Sequence, residues 1–208
     1  MSKQSATPLN FLVVVADQLT ACVLPALLGG QDPSVVKVPT LSRLAKNGTV
    51  FANAYTASPL CGPSRSAFMT GLLPSANGVY DNGCEWHSDI PTFGHRLRLG
   101  GYQTILAGKM HFVGADQLHG FEERLTTDIY PADFTWVPDW SDRNTRPDWY
   151  HSMDSVLNAG PVLRSNQLDF DEEVAFATRR KLYDLARTKN QQRPFCLVAS
   201  FTHPHDPF

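Results

Sequence analysis

The residues best suited to chemistry lie in one short run, in which Cys61, Pro63 and Arg65 alternate with small residues. Pro63 is favourable in the first turn of a helix and Gly71 is a natural residue just past its end, so a helix is predicted to begin directly after Cys61. The N–H groups at a helix N-terminus favour an anion, and Arg65 adds a fixed fork of donors for a tetrahedral oxyanion. The run therefore predicts an activated thiol beside an anion site.

Two other interpretations of Cys61 are open. Phosphatases with a cysteine nucleophile also acidify a thiol in this way, but they use a longer Cys-to-Arg spacing and usually a preceding His, neither of which is present. A buried free cysteine ahead of a short helix is the other alternative. The joint placement of Pro63 and Arg65 argues against it.

Length and composition narrow the class of protein. With 208 residues the chain has enough length for one sizeable core, and a net charge of −2 with a pI near 6.4 gives no support for nucleic-acid binding. The run 11–16 is too short to span a membrane. Four cysteines neither build a disulfide framework nor form a CxxC zinc pair, which favours a reducing, cytoplasmic location.

Three apolar segments, at 11–16, 103–107 and 194–201, are predicted as strands. Helices are predicted at 39–48, 92–99 and 171–189, a further short strand at 50–55, and a long irregular insertion that faces the substrate at 114–168. Strands that alternate with helices predict an α/β fold, in which helices flank a largely parallel central sheet. The segment 11–16 is expected to be a buried strand of that sheet.

Each of the three strands is followed directly by groups that can do chemistry, in order Asp17 and Gln18, Lys109 and His111, and His203 and His205. Ligands of parallel sheets gather at the carboxyl ends of strands, so these groups are expected to converge. Asp17 and Gln18 offer hard oxygen ligands suited to Ca²⁺, Mg²⁺ or Mn²⁺. Lys109 and His111, which share a face if the strand continues through them, can bind an anion and stabilise charge on a nucleophile.

Taken together, Cys61-x-Pro63-Ser64-Arg65, the Lys109-x-His111 pair and the His-x-Pro segment before His205 resemble the type I sulfatases. The resemblance implies an alkaline-phosphatase-like fold. It also implies that a formylglycine-generating enzyme oxidises Cys61 to formylglycine, whose hydrated aldehyde attacks sulfur. A covalent hemiacetal sulfate then collapses to release sulfate.

The same resemblance implies the roles of the remaining residues. Arg65 and Lys109 hold sulfate oxygens, His205 is the general acid, and His111 assists the collapse. The metal ligands implied within this chain are Asp17, Gln18 and the Cys61 position, with Ca²⁺ the first expectation and Mn²⁺ or Mg²⁺ also possible. The Asp-Gln form of the metal pair resembles the choline-sulfatase and phosphonate-hydrolase branches of the family.

The segments 128–140 and 79–82 resemble choline sulfatases in particular. Tyr130, Trp136 and Trp140, interleaved with Asp133 and Asp139, provide rings and carboxylates for a quaternary ammonium group, which cannot donate hydrogen bonds. Choline sulfate is therefore the predicted small-molecule substrate. The alternative is that the aromatic residues only pin a long loop to the core.

Members of this family are much longer than 208 residues. The chain is accordingly expected to be the N-terminal portion, 1–208, of a sulfatase catalytic domain, without the C-terminal half that supplies further metal ligands, and to form a homo-oligomer only at full length. A phosphonate or phosphate ester hydrolase on the same scaffold, and a non-catalytic fragment or cation binder, are the alternatives.

Overall fold

A computed structural model of the chain describes residues 8–24, 36–139, 141–142, 144–145, 153–188 and 193–207. Its helices and strands in chain order are β1 (Phe11–Ala16), α1 (Pro39–Asn47), α2 (Cys61–Thr70), α3 (Pro74–Asn77), α4 (Phe93–Leu99), β2 (Gln103–Gly108), β3 (Glu123–Arg124), α5 (Asp154–Leu157), α6 (Asn166–Arg187) and β4 (Phe195–Phe201). The strands form one sheet in the order β1-β4-β2-β3, and every pair is parallel. The predicted α/β fold with a parallel sheet is confirmed.

Strand β4 lies at the centre of this sheet. Val198 pairs with Val13 of β1 on one side and with Leu106 of β2 on the other. Parallel strands covered on both faces are apolar along their length, and β4 follows that pattern. One face packs on a cluster that includes Met69 of α2, and the other packs on Leu185 of α6. The carboxyl ends of β1, β4 and β2 consequently lie side by side at one edge.

Helix α6 is longer than the sequence predicts. It begins at Asn166 rather than at 171, because the Ser165 side chain accepts a hydrogen bond from the Leu168 N–H and caps the helix at 3.1 Å. Val174 and Leu185 lie on its buried face. The helix therefore covers one face of the two central strands, β2 and β4.

Strand β1 is predicted to be buried, and this prediction is wrong for the described structure. β1 is an edge strand that pairs with β4 alone. Phe11 is 43% exposed and Val14 is 63% exposed. The apolar composition identified the strand but could not place it in the sheet.

The strand predicted at 50–55 is also wrong, because that segment forms turns and makes no sheet pairing. Phe51 and Tyr55 are 78% and 90% exposed. The apolar, β-prone composition of the segment is not enough to form a strand, because no described strand lies beside it to pair with. The segment 114–168 is largely irregular, as predicted, in the parts that the structure describes. No helix in the described ranges is both long and apolar enough to cross a bilayer.

Candidate active site

Cys61 is the first residue of α2, one residue earlier than the predicted start directly after Cys61. The Ser64 N–H donates to the Leu60 carbonyl at 3.0 Å, which begins the helix. Gly71 has φ 72 and ends it in the left-handed conformation predicted from the sequence. Cys61 is half-buried at the helix N-terminus, where free N–H groups favour an anion.

A cluster of charged groups surrounds the Cys61 sulfur. The Lys109 ammonium forms an ion pair with Asp17 and lies 3.4 Å from Cys61 Sγ. Arg65 Nη2 is 3.4 Å from the same Asp17 oxygen. Burial alone would raise the pKa of Asp17, but the charges of Lys109 and Arg65 outweigh it and hold that pKa below its ordinary value. Asp17 is therefore ionised beside the reactive position.

Arg65 is buried and braces the ends of two strands. Its Nη1 donates to the Lys109 carbonyl at 2.6 Å and to Ser200 Oγ at 2.9 Å. Lys109 follows β2 and Ser200 lies in β4, so one guanidinium joins both carboxyl ends. These contacts give Arg65 Nη1 a structural role. The role of Arg65 as a sulfate ligand stays a prediction.

Lys109 and His111 were expected to share a face if β2 continued through them. The strand instead ends at Gly108, which has φ 96, and the chain turns. Lys109 is fully buried and its ammonium lies 4.3 Å from the centre of the Tyr130 ring. His111 is buried with φ 62, an uncommon conformation for a residue with a side chain.

The hydrogen bonds of His111 define its tautomer. Its Nε2 lies 3.0 Å from the Asn82 carbonyl, an acceptor, so Nε2 carries the proton. Its Nδ1 is buried and has no hydrogen-bond partner by geometry within the described residues. Nδ1 is thus the ring nitrogen that the Asn82 contact leaves available.

The Cys61 thiol is acidified by its neighbours. Burial raises its pKa, but hydrogen bonds with His111 and His205 and the charge of Lys109 outweigh burial and bring the pKa to about 6. The hydrogen bond with Cys61 in turn raises the pKa of His205, against the effect of burial. The structure therefore places a proton donor and an anionic group side by side.

Of the two histidines after β4, only His205 is brought to Cys61. His203 Nδ1 lies 2.8 Å from Asp171 of α6. His205 Nδ1 donates to the Asp206 carbonyl at 2.8 Å, which leaves Nε2 for the site. His205 is thus the histidine of the pair that lies beside Cys61, and its role as general acid stays a prediction.

The predicted substrate rings lie against the charged cluster. The ring centres of Tyr130 and Trp136 are 5.1 Å apart, and the His111 ring is 5.0 Å from Tyr130 and 5.7 Å from Trp136. Trp140 falls outside the described residues. The carboxylates of Asp133 and Asp139 are exposed and accept hydrogen bonds within their own turns.

Among the described residues, one group of ligand atoms could hold a metal ion. Asp17, Cys61 and His205 each offer an atom within 4.8 Å of the others, and Gln18 directly follows Asp17. An open cavity of about 490 Å³ is lined by Asp17, Gln18 and Cys61, among others. Sulfur is a soft ligand, so the set suits a hard cation once oxygen replaces sulfur at position 61. With that replacement the carboxylate and amide oxygens fit a divalent metal.

Sequence reasoning missed two residues of the site. Asn82 accepts the Gly62 N–H through Oδ1 at 2.9 Å and the His111 Nε2–H through its carbonyl. Asp128 accepts the N–H groups of Met110 and His111 at 2.9 and 2.8 Å. Both residues lie in the segments that resemble choline sulfatases. Nothing in the sequence shows that their polar groups contact the backbone beside Cys61 and His111.

The parallel sheet, with reactive groups at the carboxyl ends of three strands and at one helix N-terminus, has the alkaline-phosphatase-like fold of sulfatases and phosphonate hydrolases. The phosphonate monoester hydrolase of Agrobacterium radiobacter superposes with a TM-score of 0.64 at 23% identity, over 95% of this chain and 41% of that one. A profile of the family described as Sulfatase matches residues 10–208, and the chain belongs to that family.

Relatives within the family differ widely in similarity. The choline-sulfatase of Rhizobium meliloti (strain 1021) is 53% identical over 202 residues, which are 96% of this chain and 39% of that protein. The iduronate 2-sulfatase of Homo sapiens is 26% identical over 208 residues, with 96% and 36% coverage. The chain therefore spans well under half the length of these curated relatives.

Proposed function

We propose that the protein hydrolyses sulfate esters, and choline sulfate in particular, with residue 61 as the reacting group. The observation that carries this proposal is the arrangement around Cys61, where Lys109, His111 and His205 meet at a helix N-terminus. The 53% identity to a choline-sulfatase supports the substrate.

The chain's own residues then have separable tasks. The Lys109 ammonium, 3.4 Å from Cys61 Sγ, holds a sulfate oxygen and stabilises negative charge. His205, whose Nδ1 donates to the Asp206 carbonyl and leaves Nε2 for the site, donates a proton to the departing alcohol oxygen. His111, whose Nε2–H donates to the Asn82 carbonyl, is assigned to assist the collapse that releases sulfate.

Two groups that the family implies would complete this site. Formylglycine, made from Cys61 by a formylglycine-generating enzyme, supplies a hydroxyl oxygen as nucleophile. Asp17, Gln18 and that oxygen would hold a divalent metal, Ca²⁺ before Mn²⁺ or Mg²⁺, which when bound stabilises negative charge on sulfate oxygens. Arg65 keeps Asp17 and the end of β2 in place for the formylglycine and for the metal.

The quaternary ammonium group is proposed to bind at the aromatic rings. Trp136, whose ring centre lies 5.1 Å from that of Tyr130, is the ring assigned to choline. Trp136 is half-buried and within 5.7 Å of the His111 ring, which places it next to the reacting groups. Tyr130 and Trp140 remain further candidates for the same cage.

The proposal also covers the extent of the catalytic domain, its assembly and its location in the cell. Coverage of 39% of the choline-sulfatase supports residues 1–208 as the N-terminal portion of a catalytic domain, which would assemble as a homo-oligomer at full length. All four cysteines are free in the structure, which supports a reducing, cytoplasmic location.

The test is sulfate release from choline sulfate by protein made together with a formylglycine-generating enzyme. We expect turnover by the converted protein extended to the length of its relatives, and none by a Cys61→Ala variant. Phosphonate monoesters serve as the second substrate, because the Asp17-Gln18 pair also resembles phosphonate hydrolases. Faster hydrolysis of the phosphonate, or turnover without residue 61, would overturn the proposal.

A further inference from the structure

Two loops carry the proposed reacting residues, and each is held by one aspartate. Asp128 Oδ2 accepts the N–H groups of Met110 and His111 at 2.9 and 2.8 Å. Asp171 accepts the N–H groups of Thr202 and His203 at 2.7 and 2.9 Å. In both cases one carboxylate receives two consecutive backbone donors.

The two contacts occupy equivalent places on neighbouring strands. Gly108 of β2 pairs with Ser200 of β4. The donors lie two and three residues beyond each partner, at 110–111 and at 202–203. The aspartates come from different elements, one from the irregular segment after β3 and one from α6. The same interaction is thus built twice from unrelated parts of the chain.

Asp128 also stabilises an unfavourable backbone. His111 has φ 62, a conformation that costs free energy unless surrounding contacts enforce it. The Asp128 side chain is 4% exposed, and Arg124 Nη2 donates to the same oxygen at 2.9 Å, so a fixed, charged acceptor faces the loop. Charge-assisted hydrogen bonds of this kind are stronger than neutral ones.

Asp171 acts on the loop before His205. Its Oδ2 lies 2.8 Å from His203 Nδ1 as well as accepting the His203 N–H. This pairing directs His203 toward α6 and leaves His205, two residues on, beside Cys61. His203 thereby serves to anchor the loop, although its sequence position alone made it a rival for the site.

We infer that Asp128 and Asp171 are a matched pair of positioning residues, one fixing the loop of Lys109 and His111 and the other fixing the loop of His205. Neither touches the reacting atom of residue 61 in the contacts described. The inference rests on the proposed function for its catalytic consequence, but the fixing of the loops can be measured without any turnover.

Backbone amide exchange, read residue by residue by NMR, tests the fixing directly. In Asp128→Ala we expect the amides of Met110 and His111 to exchange at least about tenfold faster, with Thr202 and His203 unchanged. Asp171→Ala should give the reverse pattern. Unchanged exchange at the contacted amides, or equal acceleration throughout β2 and β4, would overturn the inference.

Matched variants separate positioning from general loss of structure. Asp116 also accepts two backbone N–H groups, from Leu118 and His119, in a loop without proposed site residues, so Asp116→Ala is the control for Asp128→Ala. Asp184→Ala is an exposed control on α6. If an alanine variant does not fold, Asp128→Asn and Asp171→Asn, which keep one acceptor oxygen, should show the same amide pattern more weakly.

The catalytic consequence is read from steady-state kinetics on choline sulfate. Both alanine variants should lower kcat at least about tenfold while KM changes less than about twofold, and the controls should match the parent. Normal kcat in a variant with fast local exchange would show that the loops need no such fixing. An inactive parent would instead contradict the proposed function, and the exchange pattern would still decide whether the aspartates hold the loops.

Discussion

Replacing Trp136 by alanine should reduce selectivity for choline sulfate without disabling the reacting groups. The Trp136 ring lies 5.1 Å from Tyr130 and 5.7 Å from His111, so it borders the site, yet it is not among the groups that hydrogen-bond with Cys61. The substrate's quaternary ammonium can interact with the ring only through its charge and its methyl groups.

The magnitude follows from the burial of the ring. A cation–π contact is worth about 0.5–1 kcal/mol at exposed sites and about 2 kcal/mol when desolvated. Trp136 is half-buried. A loss of about 1–2 kcal/mol is therefore expected, which corresponds to about a 5- to 30-fold decrease in kcat/KM for choline sulfate.

The assay compares choline sulfate with an aryl sulfate whose phenol part carries no charge, using the converted protein at the length of its relatives. The aryl substrate gains nothing from a cation site, so its kcat/KM should change less than about twofold. Phe134→Ala is the matched control, since Phe134 lies in the same short helical turn and is 55% exposed. Equal losses on both substrates would show that Trp136 supports the fold or the reacting groups, and no loss on either would refute its role in binding choline.

Three further outcomes are expected. At pH 7 iodoacetamide should label unconverted Cys61 before Cys84 and Cys196, because the Cys61 pKa is about 6 whereas burial raises the pKa of the other two. The labelling rate of Cys61 should fall about tenfold at pH 5, and a pH-independent rate would contradict this prediction. Gly108→Ala should lower the free energy of unfolding by more than about 2 kcal/mol in a denaturant titration, since Gly108 has φ 96 and a Cβ there would collide with the Ser200 carbonyl. An unchanged free energy of unfolding would show that the end of β2 relaxes. The 208-residue chain should release sulfate far more slowly than a form extended to the length of its relatives, and equal rates would show that residues 1–208 suffice.

The strands that carry the site could be predicted, because buried parallel strands have continuous apolar composition and polar groups directly after them. Their order could not, because β4, near the end of the chain, enters between β1 and β2. The edge position of β1 depends on that order, so its exposure was missed. Composition of a single segment carries no information about its neighbours in the sheet.

The charged residues of the site were likewise predictable, whereas their supports were not. Lys109, His111 and His205 follow strands in recognisable motifs. Asn82 and Asp128 act through backbone groups of other segments, and such contacts arise only when the chain has folded. A polar residue in an irregular segment has too many possible partners for its sequence position to select one.

The central claim is that residue 61 reacts as formylglycine, and one experiment links the modification to turnover. Protein batches made with different amounts of formylglycine-generating enzyme would be analysed for the tryptic peptide 47–65, in which loss of sulfur and gain of an aldehyde oxygen report conversion of Cys61. The account predicts that sulfate release from choline sulfate rises in proportion to the converted fraction and vanishes with it. Full turnover by protein whose Cys61 is entirely thiol would contradict the account.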